Sequence, residues 1–243
     1  MLVAVCSTVL SIFASVLAAY AIQRLRFRGA NAVFVVLIGL AVAVGCGLLA
    51  QERALRQGSA RAAEPFDLVL GAPGSDVSLV LASVYLQPTD LPLLSGELYA
   101  EVAADEQVDL AAPLAFGDSV DGAPVVGTTA EFVAYLGDEL AEGRTFEAHE
   151  EAVVGALVPA AIGDRLEPAH GVGEGAEEHA HGDAGFEVVG RMPPTGSPWD
   201  RAVLVPVEAV WEVHGLAAGH APERAEQLGG PFDAAYFPGT PAI

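Results

Sequence analysis

Leu2–Ile22 and Ala30–Ala50 are two uncharged apolar runs, separated by a gap that carries Arg24, Arg26 and Arg28. Each is about 20 residues long, the length a helix needs to cross the hydrocarbon core of a bilayer. A soluble domain seldom spends two uninterrupted apolar helices of this length on its core. The first run lacks a basic leader, and its positive charges follow the apolar core instead of preceding it. That pattern predicts a span rather than a cleaved signal. The positive-inside rule puts the arginine loop in the cytoplasm, so the N-terminus and everything after Ala50 lie on the extracytoplasmic side. Arg53, Arg56 and Arg61 follow the second run and pull against this orientation.

Charge divides the chain at the same place. Residues 1–63 hold six arginines and one acid, a net of +5, whereas residues 64–243 hold 31 acids and five arginines, a net of −26. Such a split marks two environments. A surface so acidic repels nucleic acid and anionic headgroups and attracts cations. Both cysteines, Cys6 and Cys46, lie within the apolar runs, so residues 64–243 have no disulfide of their own. The expected organisation is a first transmembrane helix with the arginine loop over residues 1–29, a second transmembrane helix with a polar stalk over residues 30–63, and an extracytoplasmic α+β domain over residues 64–243.

After Pro65 the pattern changes to short apolar runs broken by Gly, Pro and Asp, as in mixed α/β structure. Strands are predicted at Phe66–Gly71, Val108–Pro113, Leu114–Gly117, Ala123–Thr128, Ala152–Val158, Phe186–Arg191 and Ala202–Pro206. Helices are predicted at Ser95–Asp105, with Ser95 as cap, at Ala130–Leu140 and at Pro206–Gly215. Asp76–Leu86 is apolar without a clear period.

The segment His170–Asp183 (HGVGEGAEEHAHGD) holds His170, His179 and His181 with Glu174, Glu177, Glu178 and Asp183. His179 and His181 share one face of an extended chain, a spacing that suits a common metal ion. Imidazole favours zinc, copper or nickel, and carboxylates such as Glu178 complete the shell. The candidate ligands are therefore His170, His179, His181 and Glu178, with zinc as the candidate ion. The other reading is a solvated acidic loop, because the spacing is not a closed zinc signature. His214 and His220 could approach in space. Asp118, Asp121, Asp138 and Glu139 read as a solvated face, and Trp199 and Trp211 as core or subunit contacts.

Enzymatic readings find no support in the motifs. The chain has no lysine, hence no Walker A motif, and no G-x-S-x-G elbow or H-E-x-x-H helix. Gly71–Ser75 (GAPGS) lacks the G-x-G-x-x-G pattern and reads as a plain turn.

Residues from about Ala50 to Gly215 resemble the FtsX-like (MacB-type) permeases of ABC transporters. The segments that carry the resemblance are Asp67–Ser75 (DLVLGAPGS), Leu114–Ser119 (LAFGDS), Val126–Thr129 (VGTT), Gly143–Phe146 (GRTF), Ala152–Ala156 (AVVGA), Val188–Pro194 (VVGRMPP), Thr195-Gly196, Asp200–Ala202 (DRA) and Trp211–Gly215 (WEVHG). The resemblance implies a MacB-like periplasmic core domain and a non-catalytic membrane subunit. It also implies a separate ABC ATPase subunit as partner and a second copy of the permease. A similar His- and Glu-rich insertion occurs in one subgroup of these permeases. Three closing helices belong to that family, so the resemblance implies that this chain is a fragment. Val3–Phe34, above all Ala18–Gly29 (AAYAIQRLRFRG), is instead similar to the membrane part of sugar-importer (MalG-type) permeases, which implies a fusion at about residue 35. A membrane-tethered metal-binding or sensing domain is the alternative to a permease subunit.

Overall fold

The computed structural model describes residues 11–13, 15–20, 24, 29–87, 89, 91–170 and 185–239. It divides into two compact units, residues 1–57 and 58–243.

In the first unit one element dominates. Helix α1, Ala30–Ala63, runs for 34 residues and continues into the second unit. Its segment Asn31–Ala63 is long and apolar enough to cross a membrane, and none of its apolar window is buried. A core helix of a soluble protein would be covered on at least one side. Among the described residues this is the one helix of spanning length. Of the first apolar run, residues 11–13 and 15–20 are helical and exposed, and the rest lies outside the described residues.

The second unit is mixed α/β, as the sequence predicts. Helices α2 (Asp76–Ser83) and α3 (Gly96–Ala103) precede the hairpin β1 (Ala115–Val120) and β2 (Ala123–Thr128). The hairpin turns on Asp121 and Gly122, both at positive φ, the backbone that a two-residue hairpin loop requires. Helix α4 (Ala130–Gly137) follows, and then the short strands β3 (Glu142–Gly143), β4 (Glu151–Val154), β5 (Arg165–Leu166) and β6 (Ala169–His170). Strands β7 (Phe186–Arg191) and β8 (Val203–Pro206) and helix α5 (Val207–Val213) follow, with short 3-10 turns at Pro198–Arg201 and Pro222–Arg224. The strand order is β3-β7-β4-β8-β2-β1-β6, with β5 also on β7. Strand β2 is parallel to β8 and β4 is parallel to β7, whereas β4 and β8 are antiparallel.

Alternation along the central strands divides the core into two layers. Val125, Ala152, Val154, Val203 and Val205 face one layer, with Ala209 and Val210 of α5. Val126, Val153 and Leu204 face the other, with Phe132 and Val133 of α4 and the fully buried Trp199. Both faces are covered, which is why these strands read as near-continuous Val/Leu runs rather than alternating ones.

Local chemistry sets the helix starts. Ser95 and Thr129 each accept a bond from the backbone N–H three residues on, at 3.3 Å in both cases. Thr129 is 4% exposed, so its cap has no water to replace it. Thr129→Ala is expected to cost about 1 kcal/mol of stability by chemical denaturation. Ser95, at the exposed start of α3, is expected to cost less.

Two predicted strands do not form. Phe66–Gly71 is irregular, with Leu68 73% exposed, and Val108–Pro113 carries no ladder. Neither segment has a partner strand, and an apolar run without one does not become a strand.

Candidate functional site

The metal-ligand set expected from the sequence falls largely outside the described residues. His179, His181 and Glu178 lie there, as do Glu174, Glu177 and Asp183. His170 is placed by its backbone, as the last residue of β6. Among the described residues no three His, Cys, Asp or Glu side chains gather as a metal cage.

Strand β6 lies at the end of the sheet, antiparallel to β1, with Asp118 opposite His170 and Ser119 opposite Ala169. Asp118 corrects the reading of a solvated face: it is 5% exposed. His214 follows α5, and its Nε2 lies 4.0 Å from Asp118 Oδ1. Its Nδ1 is 2.8 Å from the Val210 carbonyl oxygen, which can only accept, so Nδ1 carries the proton. Gly117 makes room for this ring, since a Cβ at that position would lie 2.5 Å from His214 Nε2.

His220 takes a different partner. It is 3% exposed, stacks on Phe232 and faces Glu208, itself 1% exposed, with Nε2 and Oε1 3.4 Å apart. Glu208 Oε1 also accepts the Gly229 N–H at 2.6 Å. Burial lifts the Glu208 carboxyl above the ordinary glutamate range, against smaller downward pulls from Gly229 and His220. Tyr99 is pushed up to about 12 by burial and by the charges of Glu131 and Glu208. It therefore stays protonated at neutral pH and donates to the Ala111 carbonyl at 3.1 Å. Together these groups fasten the segment 219–237 against α3 and α5, with Trp211, Phe232 and Phe237 packed edge to face around them. No sequence signal marks this pairing, because Glu208 and His220 sit in apolar surroundings twelve residues apart.

A third polar centre holds the loop between β7 and β8. Asp200, 6% exposed, accepts the Thr195 N–H and hydroxyl, both at 2.7 Å, and the Gly196 N–H at 2.9 Å. Trp199 and Trp211 are core residues, as expected. The end of α1 is built into this region. Ala62 is 1% exposed, the Arg61 side chain lies against Gly196, and Phe66 meets Phe132 and Trp199 with ring centroids 6.1 and 6.2 Å apart.

No family model, curated protein or solved structure matches this chain.

Proposed function

We propose that the protein is a non-catalytic membrane subunit of an ABC transporter, of the FtsX-like permease type. It couples a separate cytoplasmic ATPase to transport or mechanical work across the cytoplasmic membrane. Residues 64–243 stand on the extracytoplasmic side, the arginine loop faces the ATPase side, and a second copy of the subunit completes the pair. The observation that carries this reading is the uninterrupted helix Ala30–Ala63, apolar at its start and polar at its end, whose last turn is clasped by the sheet domain through Ala62, Arg61 and the following Phe66. A continuous hydrogen-bonded helix resists axial compression, so displacement at the membrane would reach the loop held by Asp200. The order of the permease-like segments along residues 50–215 supports the same reading.

The first test is topology. In intact cells, externally added protease should cleave within residues 64–243. Leu40→Arg combined with Val42→Arg places two charges near the centre of the span, each costing about 2.5–3.5 kcal/mol of insertion free energy. The acidic domain should then be retained inside and become protected. Protection of the wild-type domain in intact cells would overturn the orientation. The second test is partnership: the tagged chain should co-purify with a co-expressed ABC ATPase and raise or lower its ATP turnover. Failure to do either in detergent and in lipid discs would dismiss the permease reading.

A further inference from the structure

We propose that residues 219–237 form a proton-governed latch: a self-contained loop that lies closed over α3 and α5 while the Glu208 carboxyl holds a proton, and lifts away as a unit when that carboxyl ionises. The inference does not depend on the transport reading. It rests on where the hydrogen bonds of the loop go.

Most of them stay inside it. The two ends are tied to each other, since the Gly219 N–H donates to the Tyr236 carbonyl at 2.9 Å and the Asp233 N–H donates to the Gly219 carbonyl at 2.8 Å. The Ala221 N–H donates to Asp233 Oδ2 at 2.7 Å, and Arg224 pairs with the same carboxylate. A loop whose ends meet and whose polar groups satisfy one another can open as one body. Among the described residues, the hydrogen bonds that leave the loop both end on Glu208 Oε1: the Gly229 N–H at 2.6 Å and His220 Nε2 at 3.4 Å. The rest of the hold is aromatic. Phe232 and Phe237 lie edge-on to Trp211 of α5, with ring centroids 5.4 and 5.1 Å away, and Phe237 stacks on Tyr99 of α3 at 4.8 Å.

The closed site suits a protonated carboxyl. Glu208 and His220 are 1% and 3% exposed, and Glu208 Oε2 and His220 Nδ1 are buried with no hydrogen-bond partner among the described residues. A carboxylate shut in there keeps its charge from water with one oxygen unpaired, and opening relieves both costs. The neighbouring groups do not take over this response. Tyr99, pushed up to about 12 by burial, stays neutral. Asp233 is held below the ordinary range by the Ala221 N–H and Arg224, and stays charged. Glu131 lies at the exposed start of α4, its Oε2 3.5 Å from where a Cβ on Gly229 would stand. Burial raises the Glu208 value in the closed state, whereas an exposed glutamate titrates at about 4.3. Between those two values opening releases the Glu208 proton. Its share of the opening equilibrium therefore grows by up to about tenfold per pH unit across that window, then levels off.

The test is hydrogen exchange read by mass spectrometry on the full chain in detergent, from about pH 5 to about pH 9, corrected for intrinsic exchange rates. Protection of residues 219–237 is compared with that of β4 and β8. His220→Gln removes the other titratable side chain of the closed site. It should keep the rise in loop opening, up to about tenfold per pH unit, while β4 and β8 stay protected. Adding Glu208→Gln to that variant should make loop opening independent of pH. Where a His220 variant does not fold, the ratio of wild-type to Glu208→Gln opening carries the same rise, because His220 is common to both. Loop opening in His220→Gln that ignores pH, or a constant ratio, would overturn the latch. So would wild-type loop protection that is lost only together with that of β4 and β8, since the segment would then never open by itself.

Discussion

Gly155→Ala is expected to cost about 3 kcal/mol or more, or to abolish folding of residues 58–243. Gly155 leaves β4 at a point where an added Cβ would lie 2.3 Å from the Trp199 carbonyl oxygen and 2.5 Å from the Asp200 carbonyl carbon. These are backbone atoms and cannot swing aside as a flexible side chain would. They are also pinned: Gly155 N–H donates to the Ala202 carbonyl at 2.8 Å and Leu157 N–H donates to the Asp200 carbonyl at 2.7 Å. Relief would have to break these bonds or the Asp200 carboxylate's hold on Thr195 and Gly196, and would disturb the fully buried Trp199. Gly58→Ala is the control. Gly58 lies inside α1 with nothing within 4 Å of its added Cβ, so alanine there should be neutral or stabilising by up to about 1 kcal/mol. Urea titration followed by tryptophan fluorescence measures both, because the chain has two tryptophans and both are buried in this unit. Equal stability of the two variants would show that the β4 exit is looser than its packing implies.

The elements legible in the sequence are those specified locally. Ser95 was readable as a cap because its bond to the Leu98 N–H spans three residues. Phe186–Arg191 was readable as a strand, and the Asp121-Gly122 turn lies between the predicted strands Leu114–Gly117 and Ala123–Thr128, which form β1 and β2. What failed depended on distant partners. Phe66–Gly71 has a strand-like composition, but no neighbouring strand offers it a ladder, and Phe66 spends its apolar surface on Phe132 and Trp199 instead. Asp118 resembles any other surface acid in sequence, yet in the fold it is buried, opposite His170 in the β1–β6 ladder and 4.0 Å from His214. The pairing of Asp118 with His170 is a property of strand register, which one sequence does not disclose. The long apolar helix was the most legible feature of all, since length and absence of charge need no tertiary partner to be read.

Glu208 should give the second large effect, and its sign with pH is the more informative part. Glu208→Ala leaves the Gly229 N–H and His220 without their acceptor in a site closed to water, and is expected to cost about 3 kcal/mol at neutral pH. Glu208→Gln keeps the shape and an acceptor oxygen but cannot titrate. The folded protein holds the Glu208 proton more tightly than the unfolded chain does, because burial disfavours the charged carboxylate. Its contribution is therefore fully present below the unfolded glutamate value of about 4.3 and declines as pH rises through the raised folded value. The groups acting on it do not reverse this: the Gly229 N–H and His220 oppose the shift only in part, and Tyr99 remains neutral in this range. Asp233 and Glu151 act in the opposite sense. Backbone and arginine hydrogen bonds hold their carboxyls below the ordinary range, so their contributions appear above it and are lost on acidification. The wild-type profile mixes both signs, and subtracting Glu208→Gln isolates one. The stability of wild type relative to Glu208→Gln should fall steadily as pH rises above about 4.3. A constant difference across that range would mean that water reaches the carboxylate and that the segment 219–237 is not sealed against α5.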